Sequence, residues 1–478
     1  MIGVIDGAVK WVPVWIATFW LTQPMQAPLD SAQAPAADKE QRGQPGVPAL
    51  AEGPARFIPV SRHGLRARLA AMLNAGGGGA RAWARALDCL AAWRHQQHRK
   101  RLLDLLEDYL PFSPDSDTAS LLELSAKDKD KARAELIAGI EQILVQANYV
   151  RLSLEDMRRL INAPSAHGRH LNLKVDLSDF DELLLYYRGI ATERREERNP
   201  QRLYLSKYCY DARLFKRLFL LLKLKPIETL AAEIAASTGV HAERALTLAK
   251  KRRSHLPKAV SSDYVYVKVF KQLPQLDLEM LFPNTKIAFK PFDKLRLAVT
   301  AGGGTAAGVM GTASKLLAAT NPLTLAGGLA GLSAVIFRQV MKFFNTRNRY
   351  MMVLAQNLYF CTLANNRGAL TYIADAAEEE DVKEDMLLYS FLARHPSKYD
   401  ALPEIKREIV NFLAQECGVQ VDFDVEDALR RLLADGLVRS DADGNLSAIA
   451  PSEARAHLDA LWDRLLDTDT LDRATVRT

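Results

Sequence analysis

The sequence predicts an α+β membrane protein, and three patterns in the chain carry that prediction. Residues 297–337 contain one charged side chain, Lys315, which indicates a two-helix transmembrane hairpin. The segment YVYVKVF, Tyr264–Phe270, alternates β-branched and aromatic residues as a strand does. Residues 424–449 follow the order helix, strand, turn and strand, which is typical of a winged helix. We therefore expect a helical N-terminal part, a small mixed α+β domain, the transmembrane hairpin and a C-terminal winged-helix-like domain.

Composition and breaks in periodicity divide the 478 residues into regions. The predicted order is an apolar N-terminal segment at 1–22, a disordered linker at 23–55, a helical region at 56–165, a basic α+β region at 166–296, the hairpin at 297–337, a helical region at 338–400 and an acidic winged-helix-like domain at 401–478. Residues 1–22 stay open to three interpretations: an anchor, a signal segment or a misassigned start. The four cysteines form no CxxC pair, which argues against a disulfide framework and suits a reducing compartment.

The hairpin prediction rests on length, since a bilayer core of roughly 30 Å needs about 20 helical residues. Glycines at GxxxG spacing would let the two helices pack closely; they are Gly304, Gly308, Gly327 and Gly331. Lysine and arginine on both flanks indicate that both ends lie on the positive, cytoplasmic side. The predicted location is a membrane crossed more than once, the inner membrane in a bacterium, with the lipid bilayer as a partner. A Gly/Ala-rich linker or a hairpin buried in the folded body remains the alternative.

Helical periodicity covers 61–110, 120–163 and 376–394, and 347–365 is also predicted to be helical. Further strands are predicted within the basic α+β region, at Leu183–Tyr187, Arg202–Tyr208 and Leu218–Leu224.

Charge is distributed unevenly along the chain. Residues 371–478 hold 12 Lys/Arg and 24 Asp/Glu, a net charge of −12. Residues 186–258 hold 17 Lys/Arg and 7 Asp/Glu, a net charge of +10. The basic region would suit anionic lipid headgroups or nucleic acid, and a solvated basic face is the plainer interpretation.

The C-terminal region contains an amphipathic helix that we expect to dock a protein. Asp424 is a plausible N-cap of a helix ending near Ala434, and a core with Trp462 would let residues 401–478 fold alone. Because Asp424, Glu426 and Asp427 would repel phosphate, we predict protein docking at these residues rather than duplex DNA.

Candidate chemistry is sparse. The pairs His95/His98 and His167/His170 have metal-ligand spacing, but neighbouring arginines favour surface histidines. The acidic run Glu378–Asp381, with Glu384 and Asp385, could bind a hard cation, although a solvated helix face is preferred. No nucleophile–base or metal set is apparent, so we predict no catalytic residues, no cofactor and no enzyme activity.

One segment resembles a known family. The stretch KVFKQLPQLDLEMLFPNTKIAFKPFDKLRL at 268–297 is similar to a signature of the transmembrane protein 143 family, which lacks an established activity. The residues that carry the resemblance are Phe270, Lys271, Pro274, Asp277, Leu278, Glu279, Met280, Leu281 and Pro283. Further matching segments are RFIPVSRHGL at 56–65, LYYRGI at 185–190, NNRGAL at 365–370, EEEDVKEDMLLYSFL at 378–392 and FDVEDALRRLLADGLV at 423–438. The resemblance implies a membrane protein in which the 268–297 segment lies next to the membrane hairpin.

These observations predict an integral membrane protein that acts as a non-enzymatic scaffold or adaptor with a large cytoplasmic body and an unknown protein partner. The alternative is a membrane-tethered regulator that binds nucleic acid through residues 186–258, although we do not expect nucleic acid as a partner.

Overall fold

The fold is given by a computed structural model. It describes residues 55–74, 79–115, 117, 125–162, 171–198, 207–254, 256, 260–275, 278, 281–283, 286–289, 337–338, 341, 352, 356 and 358–464. Labels below count the elements of these residues. The helices are α1 Arg62–Asn74, α2 Ala80–Tyr109, α3 Ala126–Gln146, α4 Leu154–Asn162, α5 Ile227–Thr238, α6 Ala242–Arg253, α7 Asn366–Arg394, α8 Leu402–Cys417, α9 Val425–Ala434 and α10 Pro451–Arg464. The strands are β1 Val150–Arg151, β2 Leu171–Lys174, β3 Phe180–Arg198, β4 Lys207–Leu224, β5 Tyr266–Pro274, β6 Lys286–Phe289, β7 Thr362–Asn365, β8 Ser397–Lys398, β9 Val438–Ser440 and β10 Asn445–Ala448.

An antiparallel sheet in the order β1-β3-β4-β5-β7 forms the centre of the fold. The apolar run in β4 is buried on both faces of this sheet. Phe219 and Leu221 pack with α2, α3 and α7, whereas Leu218 and Leu220 pack with α4 and the segment after β5. A strand with helices on both sides needs apolar residues at every position, which explains the continuous run.

The strands predicted at Leu183–Tyr187, Leu218–Leu224 and Tyr264–Phe270 are confirmed in β3, β4 and β5, although β5 begins at Tyr266. The predicted helix at 347–365 is wrong at its end, because Thr362–Asn365 is β7. That strand pairs with the edge of β5, and sheet pairing overrides the local helical pattern there.

The 29-residue helix α7 connects two hydrophobic cores. Its first half, including Ala369, Leu370 and Ile373, covers the central sheet. Its second half, including Met386 and Leu392, lies in a core shared with α1, α2, α8, α9 and α10.

The winged-helix pattern over 424–449 is confirmed in its element order. Asp424 accepts hydrogen bonds from the backbone N–H groups of Glu426 and Asp427 and caps α9, which is followed by the β9–β10 hairpin. Strand β8 completes a small sheet in the order β8-β10-β9. The core of this region includes residues of α1 and α2, and Trp462 is 43% exposed rather than central.

The membrane predictions require correction. Among the helices that the structure describes, none is both long and apolar enough to cross a bilayer. The fold is mixed α+β, and the predicted transmembrane hairpin, integral membrane function and multi-pass location are overturned by this finding. The physical reason lies in the composition of 297–337, where Gly, Ala, Thr and Ser dominate and contribute little transfer free energy to lipid. The segment itself, with Gly304, Gly308, Gly327 and Gly331, lies outside the described residues except Phe337.

Candidate functional site

Helix α7 carries a set of acidic side chains into the interior. Glu380, Asp381, Glu384 and Asp385 are each at most 4% exposed. The interpretation of this run as a solvated helix face is therefore wrong for these four residues. Ala377, one turn earlier on the same helix, is also buried. The packing of other elements against this part of α7 therefore encloses the four acidic side chains.

Arg431 of α9 supplies the main counter-charge. Its guanidinium lies 3.0 Å from Asp381 Oδ1, 2.9 Å from Glu384 Oε2 and 2.9 Å from Asp385 Oδ1. One arginine thus bridges three carboxylates on successive turns of α7, a geometry that its planar array of five N–H donors allows.

Helix α2 contributes the second set of partners. Arg94 Nε lies 2.5 Å from Asp385 Oδ2, and its Nη2 lies 2.6 Å from Asp435 Oδ2 at the end of α9. His98 Nε2 lies 3.0 Å from Asp381 Oδ2. We call Asp381, Glu384, Asp385 and Asp435 the carboxylate layer.

Glu380 faces a different set of groups. Its oxygens accept hydrogen bonds from the backbone N–H of Ile58 at 2.8 Å, from Arg188 at 2.9 Å and from Lys383 at 2.8 Å. Lys383 also donates to the Ile58 carbonyl at 2.6 Å. This cluster joins the chain before α1 to strand β3 and to α7.

The carboxylate layer contains more negative than positive groups. Four carboxyls share two guanidiniums, those of Arg94 and Arg431, and one imidazole, that of His98. Burial raises the pKa of the Glu384 carboxyl to about 8, with Arg431 opposing the rise and Asp381 adding to it. Burial also raises the pKa of Asp385, against the attraction of Arg94 and Arg431. Both shifts favour the protonated form of a carboxyl in this layer.

A cleft of about 690 Å³ opens directly onto this layer. Asp381 and Glu384 line it, together with residues from the end of α3, the turn before α8 and the start of α9. The acidic lining residues are Asp381, Glu384, Asp400, Asp422, Asp424, Glu426 and Asp427. The basic lining residues are Arg56 and Lys406, and Lys406 lies 2.8 Å from Asp422. We call this feature the acidic cleft.

The three residues predicted to dock a protein, Asp424, Glu426 and Asp427, all line the acidic cleft. The sequence thus placed these three residues on the same surface. Docking at these residues stays a prediction.

The residues of the family-like motif lie elsewhere. Phe270, Lys271 and Pro274 belong to β5, and Leu278 and Leu281 are buried in the core beneath the central sheet. Pro283 is exposed, and Asp277, Glu279 and Met280 lie outside the described residues. The buried members of the motif form part of the core on this side of the sheet.

In the described part of the chain, no group of three or more His, Cys, Asp or Glu side chains that could hold a metal ion is found. His95 is exposed and lies 2.9 Å from Glu378, whereas His98 is 6% exposed and belongs to the buried layer. The prediction of a surface histidine is therefore wrong for His98. His167 and His170 lie outside the described residues.

The basic 186–258 region uses part of its charge internally. Arg188 contacts Glu380, Arg217 donates to the Tyr372 hydroxyl at 2.8 Å, and Arg252 lies 2.6 Å from Asp179. These pairs reduce the positive charge that the region presents to a partner.

Comparison with known proteins identifies one domain. A family model described as a protein of unknown function (DUF3754) matches residues 180–368, so a DUF3754 domain of unknown function spans β3 to the start of α7. No solved structure matches the chain. All lining residues of the acidic cleft lie outside the matched range, and the Arg188–Glu380 pair connects the domain to the helix that carries the carboxylate layer.

Proposed function

We propose that the protein is a non-enzymatic binding module whose acidic cleft docks a positively charged segment of a partner protein. The observation that carries the proposal is the composition of the cleft, in which seven acidic side chains face two basic ones. A volume of about 690 Å³ is in the range of sites that hold several ligand groups. Complementary charge favours a basic partner and increases its rate of association.

Two rim carboxylates are available to such a partner. Asp400 and Glu426 are exposed, and neither has an ion-pair partner among the described residues. By contrast, Asp422 contacts Lys406 and Asp427 contacts Arg430. We therefore expect Asp400 and Glu426 to supply much of the electrostatic attraction at the rim.

The side chains at the cleft favour binding over catalysis. In the described part of the chain its lining contains no serine, threonine, cysteine or histidine. The oxygens of Glu384 already accept hydrogen bonds from Arg431 and Asn148, at 2.9 and 3.2 Å. These contacts hold the carboxyl in place rather than leaving it free to attack a substrate.

A protein partner is favoured over nucleic acid at this surface. In winged-helix proteins that bind DNA, the helix corresponding to α9 presents basic side chains to phosphates. Here Arg431 points to α7 and is held by three carboxylates, while Glu426 and Asp427 face the cleft. Phosphate groups would be repelled.

We also propose that the chain is related to the transmembrane protein 143 family. The DUF3754 match includes the 268–297 segment on which that resemblance rests. In addition, three different family-like segments supply Ile58, Arg188 and Glu380, and both Ile58 and Arg188 contact Glu380. A fourth segment supplies Arg431, which contacts Glu384 on the same helix as Glu380. A structure of a family member in which these segments did not meet would contradict the relationship.

A fluorescent N-acetylated hexa-arginine peptide tests the docking proposal on the full chain. We expect saturable binding, measured by fluorescence anisotropy, and a roughly three- to tenfold weaker affinity in the double variant Asp400→Asn, Glu426→Gln, because two exposed ion pairs contribute on the order of 1 kcal/mol together. A matched control is Glu408→Gln with Glu416→Gln, which removes the same charge from exposed positions of α8 that do not line this cleft.

Equal weakening in both double variants would mean that the peptide responds only to net charge, and the cleft would not be the site. Absence of binding would also contradict the proposal. Binding of a single-stranded oligonucleotide that competed with the peptide would favour the nucleic-acid alternative.

A further inference from the structure

Asp381 and Glu384 form the floor of the acidic cleft. Their surroundings specify the chemistry of a ligand more closely than the exposed rim does. We propose that one guanidinium group of the docked segment binds at the floor against Asp381 and Glu384 and displaces the proton held by the carboxylate layer. This inference rests on the proposed function and names both the anchoring group and its coupling to pH.

The charge count at the floor motivates the proposal. The carboxylate layer has four acidic groups from α7 and the end of α9, and it faces Arg431 of α9 and Arg94 and His98 of α2. Asn148, after α3, is neutral and donates to Glu384 at 3.2 Å. Two further cations, Lys383 and Arg188, are engaged by Glu380. Arg56 and Lys406 line the cleft, and Lys406 is paired with Asp422. One further cation at the floor would replace the proton as the compensating charge.

A second observation is an unsatisfied polar group in the lining of the cleft. Tyr149 lines the cleft and is 4% exposed, and its hydroxyl has no hydrogen-bond partner in the described part of the protein. A buried hydroxyl without a partner is unfavourable, and a ligand that supplies several N–H donors would relieve it. A guanidinium has five such donors, whereas an ammonium has three, so arginine fits this floor better than lysine.

Proton displacement predicts a specific pH dependence. The group that loses the proton is Glu384, whose pKa burial raises to about 8. Below that pH the bound guanidinium must expel one proton to the buffer, so the affinity should rise about tenfold per pH unit up to pH 8 and then level off. Docking at the rim alone would not involve this proton and would give a flat profile.

The test measures the affinity of N-acetylated hexa-arginine for the full chain from pH 6.5 to 8.5 at constant ionic strength. This probe keeps its charge throughout, because guanidinium groups do not titrate there. We expect the affinity of the unmodified protein to increase at least tenfold, and that of Glu384→Gln to be independent of pH. The control Glu379→Gln changes a half-buried carboxyl on the same helix that does not line the cleft, and it should keep the full pH dependence.

Calorimetry in two buffers with different ionisation enthalpies provides a measurement that needs no variant. At pH 7 we expect close to one proton released per bound peptide. Binding without proton release, or a pH dependence that persists in Glu384→Gln, would overturn this inference while leaving docking in the cleft intact. Absence of binding at every pH would overturn both the inference and the proposed function.

Discussion

Replacing Glu384 by Gln should make the protein more stable, and the gain should be larger at alkaline pH than at pH 6. The Glu384 carboxyl is 4% exposed, and burial raises its pKa from 4.5 to about 8. At pH 6 the buried group is neutral, so glutamine is a close mimic that can still accept from Arg431. At pH 9 the wild-type carboxyl is ionised in a buried layer that already has excess negative charge, and glutamine avoids that cost.

The size of the effect follows from linkage. A carboxyl with a raised folded-state pKa contributes stability that is fully present below its unfolded value, near 4.5, and is lost as the pH rises to about 8. Between pH 6 and pH 9 the loss is about 3 kcal/mol, because about two of these pH units lie below the folded-state pKa and each contributes about 1.36 kcal/mol. For a chain of this size that corresponds to a shift in melting temperature of roughly 3–6 °C.

Thermal unfolding at pH 6 and pH 9, followed by circular dichroism, measures this difference. The quantity to compare is the change in melting temperature between the two pH values in the wild type and in Glu384→Gln, because contributions of other groups then cancel. Glu408→Gln, an exposed position on α8, is the control and should behave as the wild type. Identical pH dependence in Glu384→Gln and the wild type would refute the reasoning.

Three further substitutions test the structure around the site. Arg431→Met should lower the free energy of unfolding by about 3–5 kcal/mol in urea titrations, because it leaves buried carboxylates unpaired, whereas the exposed neighbour in Arg430→Met should cost less than 1 kcal/mol. Gly189→Ala should lower the melting temperature more than Gly444→Ala; both glycines have positive φ, but only at Gly189 would the new Cβ approach other side chains, at 3.1 Å. Asp424→Ala should cost about 1 kcal/mol in the same urea titrations by removing the N-cap of α9, and Asp424→Asn should restore that stability without restoring the charge.

Local patterns were sufficient for many elements of the fold. The alternation in Tyr264–Phe270 predicted β5, and the capping residue Asp424 together with the apolar face of α9 predicted the start of the wing. These elements carry their signal in residues that are close in sequence. The pairing of β7 with β5 could not be predicted in this way, because Thr362–Asn365 becomes a strand only beside an edge supplied by residues almost a hundred positions earlier.

For the membrane hairpin, by contrast, the local pattern led to a wrong prediction. A long stretch with one charge met the length requirement for two spans, but length without strongly apolar side chains is a weak signal. The basic flanks then added apparent support, although basic residues near an uncharged stretch also occur in proteins without a span. The transfer free energy of the side chains in residues 297–337 is a better criterion than the absence of charge, and it supports a membrane span less strongly.

The buried layer was missed although the sequence contains a trace of it. The apolar face of α7 runs from Ile373 and Ala377 to Leu388, and its helical period passes through Asp381 and Glu384. Acidic residues at core positions of an otherwise apolar face indicate buried partners rather than solvent. Their partner Arg431 could not be identified in advance, because it lies 46 residues from Asp385 and is brought there by the packing of α9 on α7.

The presence of a buried charged layer at this position is itself an argument for a binding role. Apolar residues of similar volume would stabilise the junction of α2, α7 and α9 as well as or better than a buried ionic layer, because desolvating carboxylates and guanidiniums costs several kcal/mol per group. The layer lies behind the acidic cleft, and Asp381 and Glu384 belong to both. A junction that only held helices together would gain nothing from an excess of negative charge on the side facing a cleft. A cationic ligand can neutralise this excess negative charge and replace the proton on Glu384. The excess charge would then have a function in docking.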